Sequence, residues 1–269
     1  YAQATGRLSG TVLDPSGSAV PAAAVTVTQA GGGATVAISK TNDQGAFLFL
    51  GLLPQNYDVT FDAAGFQKTL LRDIKVNAAL ENSLPPTRLE VATVAEVVEV
   101  STTLQGVQTT NAEVANIITN EGFRSLTQLN RYPQFLVWTQ PGINNSGRTN
   151  TTVNGLRPSY VNVSIDGINI QDNFIRENTV TFSPNLLLSD QVADVTISTS
   201  NSNANVGSGA AQINYTTPSG GNKFNGAVYW YNRNNATAAN SWFNNKDGIK
   251  LPFLNQNQAG FRLGGPILK

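Results

Sequence analysis

Turn signals recur every roughly 8–12 residues through the first third of the chain, and short alternating runs lie between them. The breaks are Asp14-Pro15-Ser16-Gly17, Gly31-Gly32-Gly33, Asn42-Asp43-Gln44-Gly45 and Pro54-Gln55-Asn56. Two of them, at 14–17 and 42–45, combine a residue that presets φ, or bonds its own backbone, with a glycine that tolerates positive φ. The runs they separate are 7–14, 24–29, 34–40, 46–50, 57–63, 69–76 and 82–89. Val25 and Val27 alternate with Thr26 and Thr28, the period of a half-buried strand. About seven strands at this spacing read as a β-sandwich. A unit of this length can bury its own core.

Composition narrows the chemistry further. Among 269 residues there is no Cys, His or Met. Without Cys there are no disulfides, thiolate metal sites or Cys nucleophiles. Without His there are no His triads, His-ligated metals or imidazole acid–base steps. Without Met, Tyr1 follows a removed signal peptide or opens an excised fragment. Charged residues are 13% of the chain, with 17 basic against 17 acidic. A nucleic-acid partner is not expected, because no basic excess exists. No apolar run of about 18 residues offers a membrane-spanning helix. Hydrophobic residues at 40%, with aromatics spread along the chain, argue against disorder.

Several segments of the first part carry a resemblance. Gly10-Thr11-Val12-Leu13-Asp14 and Pro21-Ala22-Ala23-Ala24-Val25-Thr26-Val27 resemble the opening of a carboxypeptidase regulatory-like, or transthyretin-like, domain. Thr41-Asn42-Asp43-Gln44-Gly45-Ala46-Phe47 and Leu52-Leu53-Pro54-Gln55-Asn56-Tyr57-Asp58-Val59 continue it. The resemblance implies a hairpin turn at Gly45 and a core strand residue at Tyr57. It implies no peptidase activity, since the catalytic partner of such domains works with His and Glu around zinc.

Beyond this unit, 1–91, the run 92–106 reads as a joint. Glu96-Val97-Val98-Glu99-Val100 is β-prone, and is read either as a last sandwich strand or linker, or as something functional. Residues 107–222 switch character. A helix is expected over 119–129, capped by Thr119 or Asn120, with Phe123, Leu126 and Leu129 on one face. Arg131-Tyr132-Pro133 should end it. A second helical stretch is expected over 184–190. Strands broken by Asn154-Gly155 and Asp166-Gly167 call for tight turns with positive φ.

The order of four segments resembles the plug domain of TonB-dependent outer-membrane receptors, most closely an Oar-like group. They are Val153-Asn154-Gly155-Leu156-Arg157, Ser164-Ile165-Asp166-Gly167-Ile168, Asp190-Gln191-Val192-Ala193-Asp194-Val195 and Gly207-Ser208-Gly209-Ala210-Ala211-Gln212. Gly155, Arg157, Asp166, Gly167, Gly207 and Gly209 are then plug turn positions. In the last segment Ala211-Gln212 replaces the family's usual valine-rich pair. The resemblance also implies a TonB box at Glu96, Val97, Val98, Glu99 and Val100, between sandwich and plug. Residues 223–269 resemble the start of the barrel. Phe224-Asn225-Gly226-Ala227-Val228-Tyr229-Trp230-Tyr231 is the first strand and Gln256-Asn257-Gln258-Ala259-Gly260-Phe261 the second, around an extracellular loop.

No catalytic set emerges. The nearest carboxylate pairs, Asp166 with Asp172 and Asp190 with Asp194, read as an Asp-Gly turn and solvated side chains. Asp172, Asn173 and Glu177 fit no calcium loop. Gly207-x-Gly209 is too short for a dinucleotide fingerprint. No metal and no cofactor is expected. The aromatics Tyr229, Trp230, Tyr231, Trp242 and Phe243 are candidates for a membrane-interface girdle, core packing, or a contact surface for a ligand or subunit.

The expectation is therefore a mainly β protein: a transthyretin-like sandwich, a joint, an α+β plug at 107–222 and a barrel cut short at 269. The resemblance implies the TonB C-terminal domain as partner, an unknown transported substrate, and the outer membrane reached through missing barrel sequence. Residues 1–222 would then face the periplasm. The rival is a β-rich extracellular surface protein that associates with copies of itself through strand edges.

Overall fold

The computed structural model describes residues 5–31, 34–92, 98–100, 112–126, 131–145, 151–170, 187–200, 211–220 and 224–266. It divides into two units, Tyr1–Pro218 and Ser219–Lys269.

The first unit opens with β1 (Gly6–Leu13), β2 (Ala24–Gln29), β3 (Thr35–Lys40), β4 (Ala46–Leu52), β5 (Asn56–Asp62), β6 (Thr69–Lys75), β7 (Glu81–Ser83), β8 (Thr87–Arg88) and β9 (Val98–Val100). These strands form two sheets. One runs β4-β1-β7, with β8 also on β1; the other runs β3-β2-β5-β6-β9. Leu8, Val12, Phe47 and Phe49 from the first sheet meet Val25, Val27, Val59 and Phe61 from the second in one buried cluster. The Phe47 and Phe61 rings cross the gap edge to face, with centroids 5.6 Å apart. Each such buried side chain is worth roughly 1.5–3 kcal/mol. The sandwich expected from the turn spacing is present, with the strand expected over 82–89 split into β7 and β8.

The turns work by the chemistry their residues suggest. Asp14 Oδ1 accepts from the Ser18 amide at 2.8 Å. Asn42 Oδ1 accepts from the amides of Gln44 at 3.0 Å and Ala46 at 2.9 Å. Gly45 follows at φ 70°, and a Cβ there would lie 2.4 Å from the Val12 carbonyl oxygen. Two independent reasons, conformation and space, require glycine at that position.

The rest of this unit contains β10 (Val114–Thr119), α1 (Asn120–Ser125), α2 (Gln134–Val137), β11 (Ile143–Asn145), β12 (Thr151–Val153), β13 (Val161–Ile165), β14 (Ile168–Asn169), β15 (Asp194–Ser200) and β16 (Ala211–Thr216). Five of these strands make a mixed sheet ordered β10-β15-β16-β13-β14, in which only β13 and β16 are parallel. One face carries Val161, Val163, Val195, Ile197, Ile213 and Tyr215, which pack with Phe123, Leu136 and Val137.

The helices differ from expectation. Thr119 does cap α1, its hydroxyl accepting from the Gly122 amide, but the helix ends at Ser125. Leu126 is already extended, at φ −94° and ψ 127°, and is half exposed rather than on a buried helical face. Leu129 lies outside the described residues. Pro133, expected to stop a helix, instead starts α2 as its N-cap residue, where a ring without an N–H costs nothing. In place of the expected helix over 184–190 there is a single 3-10 turn, Ser189–Gln191; 184–186 lie outside the described residues.

The second unit is a hairpin. Strands β17 (Asn225–Asn234) and β18 (Asn255–Gly264) pair antiparallel without a bulge over ten residues each, joined through a loop that contains α3 (Trp242–Lys246).

Candidate functional site

The described part of the TonB-box-like segment is not free. Val98–Val100 form β9, which runs parallel to β6 with Thr69↔Val98, Leu70↔Glu99 and Leu71↔Val100 in register. Glu96 and Val97 lie outside the described residues. Upstream, backbone bonds hold the chain along the β5–β6 connection. The Gln67 amide donates to the Glu90 carbonyl at 2.7 Å, and the Ala92 amide to the Gly65 carbonyl at 3.1 Å.

The turn positions singled out from sequence that can be described form tight turns. Asn154 and Gly155 take φ 48° and 79°; Asp166 and Gly167 take φ 49° and 86°. Two consecutive positive φ values define the type I′ turn that matches strand twist. Arg157 is exposed beside the first of them. Gly207 and Gly209 lie outside the described residues. Asp166 has a second task that sequence reading missed. Its two carboxylate oxygens accept from the Thr217 amide at 2.9 Å and the Thr217 hydroxyl at 2.7 Å. That carboxylate fixes the chain just after β16.

Asp190 and Asp194, read from sequence as solvated, are both buried. Each is taken by a cation. Arg131 Nη2 lies 3.4 Å from Asp190 Oδ2. Lys75 Nζ, at the end of β6, lies 3.0 Å from Asp194 Oδ2 at the start of β15. The second contact ties the sandwich to the mixed sheet.

Asp194 belongs to the polar face of that sheet. Directly opposite pairs across β15 and β16 are Asp194↔Thr216, Thr196↔Asn214 and Ser198↔Gln212. All six residues are buried, and Ser164 on β13 donates to Asn214 Oδ1. Glu113, just before β10, stands at the same joint. Burial pushes its carboxyl above the ordinary value, against a Ser198 hydrogen bond and the Arg7 charge, with Glu81 adding to the rise. No group of three or more acidic side chains with metal-binding geometry occurs among the described residues.

The hairpin separates its side chains by parity. On one face the register aligns Gly226↔Leu263, Val228↔Phe261 and Trp230↔Ala259. Val228 is 87% exposed, Phe261 80%, Leu263 77% and Trp230 68%. Phe224, also exposed, extends the same face and lays its ring over Gly265. The next rows are Asn232↔Asn257 and Asn234↔Asn255. There the Asn232 amide donates to Asn257 at 2.9 Å and Asn255 at 3.0 Å. The opposite face carries Tyr229, Tyr231, Gln256, Gln258 and Arg262. Tyr229 and Tyr231 stack with centroids 5.7 Å apart, and the Tyr229 ring covers Gly260.

The five aromatics singled out from sequence therefore do not form one cluster. Tyr229 and Tyr231 share the polar face, and Trp230 points the other way. Trp242 and Phe243 sit on α3, edge to face at 5.1 Å, with Lys246 Nζ 5.4 Å above the Trp242 ring. Sequence reading missed the apolar role of Phe261 and Leu263, although period-two counting along 255–264 would have found it.

Comparison with known proteins bears on both ends of the chain. Residues 7–90 match the model of the carboxypeptidase regulatory-like domain, and residues 216–269 that of the outer membrane beta barrel domain. No curated protein matches the chain. Among solved structures, the ferric enterobactin receptor PfeA of Pseudomonas aeruginosa aligns over 60% of this chain and 23% of its own, at 18% identity and TM-score 0.41. The siderophore receptor PirA of Acinetobacter baumannii aligns over 58% and 22%, at 16% identity and TM-score 0.42. The Bacillus anthracis TIE protein aligns over 33% and 17%, at 22% identity and TM-score 0.28. The chain thus spans less than a quarter of the length of these receptors.

Proposed function

We propose that this chain carries the sandwich, plug and first barrel hairpin of a TonB-dependent outer-membrane receptor that moves a large or scarce solute. In this reading 1–91 and the plug, 107–222, face the periplasm, and β17 and β18 enter the lipid. The observation that carries it is the parity of the hairpin. One face is apolar and exposed, the other polar with tyrosines, and the apolar rows give way to asparagine. A barrel wall needs that alternation, lipid on one side and lumen on the other. Ten residues per strand, at about 3.4 Å each and tilted about 40°, span about 25 Å, the height of the apolar band in such barrels. The match of 216–269 to a barrel domain supports the same assignment, as does the match of 7–90 to a regulatory-like domain.

Glu96-Val97-Val98-Glu99-Val100 is the TonB-box-like segment of this proposal. Strand addition recognises backbone more than side chains, so Val98→Pro, which removes a donor, is expected to abolish cross-linking to the TonB C-terminal domain.

The orientation is tested with lipid-borne quenchers. In a background with Trp138 and Trp242 replaced by Phe, Trp230 in proteoliposomes of brominated phosphatidylcholine should be strongly quenched. Moving the indole one residue, with Trp230→Phe and Tyr229→Trp, should abolish most of the quenching. Equal quenching at both positions, or none at either, refutes the barrel-wall assignment. Absence of quenching with concentration-dependent growth of soluble oligomers would instead favour a self-associating surface protein.

A further inference from the structure

The edge of the five-stranded sheet holds a strand of three residues, β9. Strands β2 and β5 bury Val25, Val27, Val59 and Phe61 in the core. The last core residue before the joint is Leu89, fully buried. After it, backbone bonds tie Glu90 and Ala92 to the β5–β6 connection, and a three-residue ladder ties β9 to β6. Two facts about that ladder matter. It engages one edge of β9, and the other edge carries no strand among the described residues. Strand β6 is itself well held, with Thr69, Leu71 and Ile74 buried, β5 on its far side, and Lys75 paired to Asp194.

A short segment that must be recognised by strand addition pays an ordering cost when it is flexible. A segment already laid on a sheet edge has met that cost and offers a preformed template. We propose that the Thr69–Leu71 edge of the sandwich is a presentation site. It holds Val98–Val100 extended so that a strand-adding protein domain joins the outer edge of β9, as the sixth strand of this sheet. This rests on the reading of the segment as a TonB box and names the regulation of that same site. The opposite arrangement, in which docking hides the segment, would require partner and β6 to compete for one edge.

Cysteine chemistry separates the two, since the chain contains no native cysteine. Leu70 and Glu99 are register partners on adjacent strands, within the usual Cα reach of a disulfide. In the full chain, refolded in detergent, the pair Leu70→Cys with Glu99→Cys should oxidise to a single intramolecular disulfide. Binding of purified TonB C-terminal domain is then measured on the oxidised, reduced and unsubstituted chains. The expected result is that the oxidised chain binds at least as tightly as the reduced one. A loss of about tenfold or more on oxidation, restored by reductant, overturns presentation in favour of concealment. Failure of the disulfide to form, while the unsubstituted chain still binds, shows that β9 is not held on β6 and overturns the proposal. If the disulfide forms but none of the three chains binds, the docking stands, and both the TonB-box reading and the presentation built on it fall.

Discussion

Gly45 shows how much one position can decide. Its φ of 70° and the Val12 carbonyl 2.4 Å from where a Cβ would stand leave no relaxed geometry for a side chain. Gly45→Ala is expected to cost more than about 1 kcal/mol, read as a lower urea midpoint with unchanged slope. Tyr215 is the converse. It is buried at the centre of the mixed sheet, and its hydroxyl has no hydrogen-bond partner among the described residues. Burial raises its pKa far above the usual phenol value. Removing an unsatisfied polar group from a core is neutral or favourable. Tyr215→Phe should therefore leave stability unchanged or raise it by up to about 1 kcal/mol, as thermal unfolding would show. A marked loss would reveal a partner for the hydroxyl. The first of these residues was legible as a turn glycine from Asn42-Asp43-Gln44-Gly45. Tyr215 as an orphan was not, because partnering depends on which strands meet.

At the scale of elements, legibility follows the range of the forces involved. Turns such as Asp166-Gly167 are written locally, in residue types that tolerate the positive φ both adopt. Gly167→Val should force a β-branched residue to φ near 86°, costing roughly 1–3 kcal/mol, checked by chemical denaturation. Undiminished stability would mean the hairpin is wrongly placed. The helix over 119–129 failed for a related reason. Apolar spacing alone suggested three turns, but the backbone leaves the helix at Leu126, and the chain spends Pro133 on starting α2. Tertiary neighbours set helix length here, since isolated turns carry little stability of their own. The pairing of Lys75 with Asp194 gave no signal in the sequence. They are more than about a hundred positions apart, and only the pairing of two sheets brings them to 3.0 Å.

For the whole molecule, the joint between sandwich and mixed sheet has an electrostatic signature. Glu113 has its carboxyl raised from the ordinary 4.5 by burial, in spite of Ser198 and Arg7. A carboxyl raised in the folded state favours folding while protonated. Its contribution is complete below the unfolded value and fades as pH rises through the folded one. Glu113→Gln should therefore gain stability relative to the unsubstituted chain as pH climbs from about 4.5 towards neutrality. Thermal melts at a series of pH values check this; a gap that narrows with rising pH would contradict it. The topology of the sandwich has a consequence in time rather than in energy. Strand β1, the first in the chain, lies inside its sheet, between β4 on one side and β7 and β8 on the other. Two of these neighbours, β7 and β8, come from the far end of the domain, and the Arg7↔Glu81 and Val12↔Thr87 rungs join its two ends. Contacts so distant in sequence slow folding. A chain leaving a narrow exit N-terminus first cannot finish this domain until nearly all of it has emerged. The opening strand therefore stays threadable for as long as threading takes.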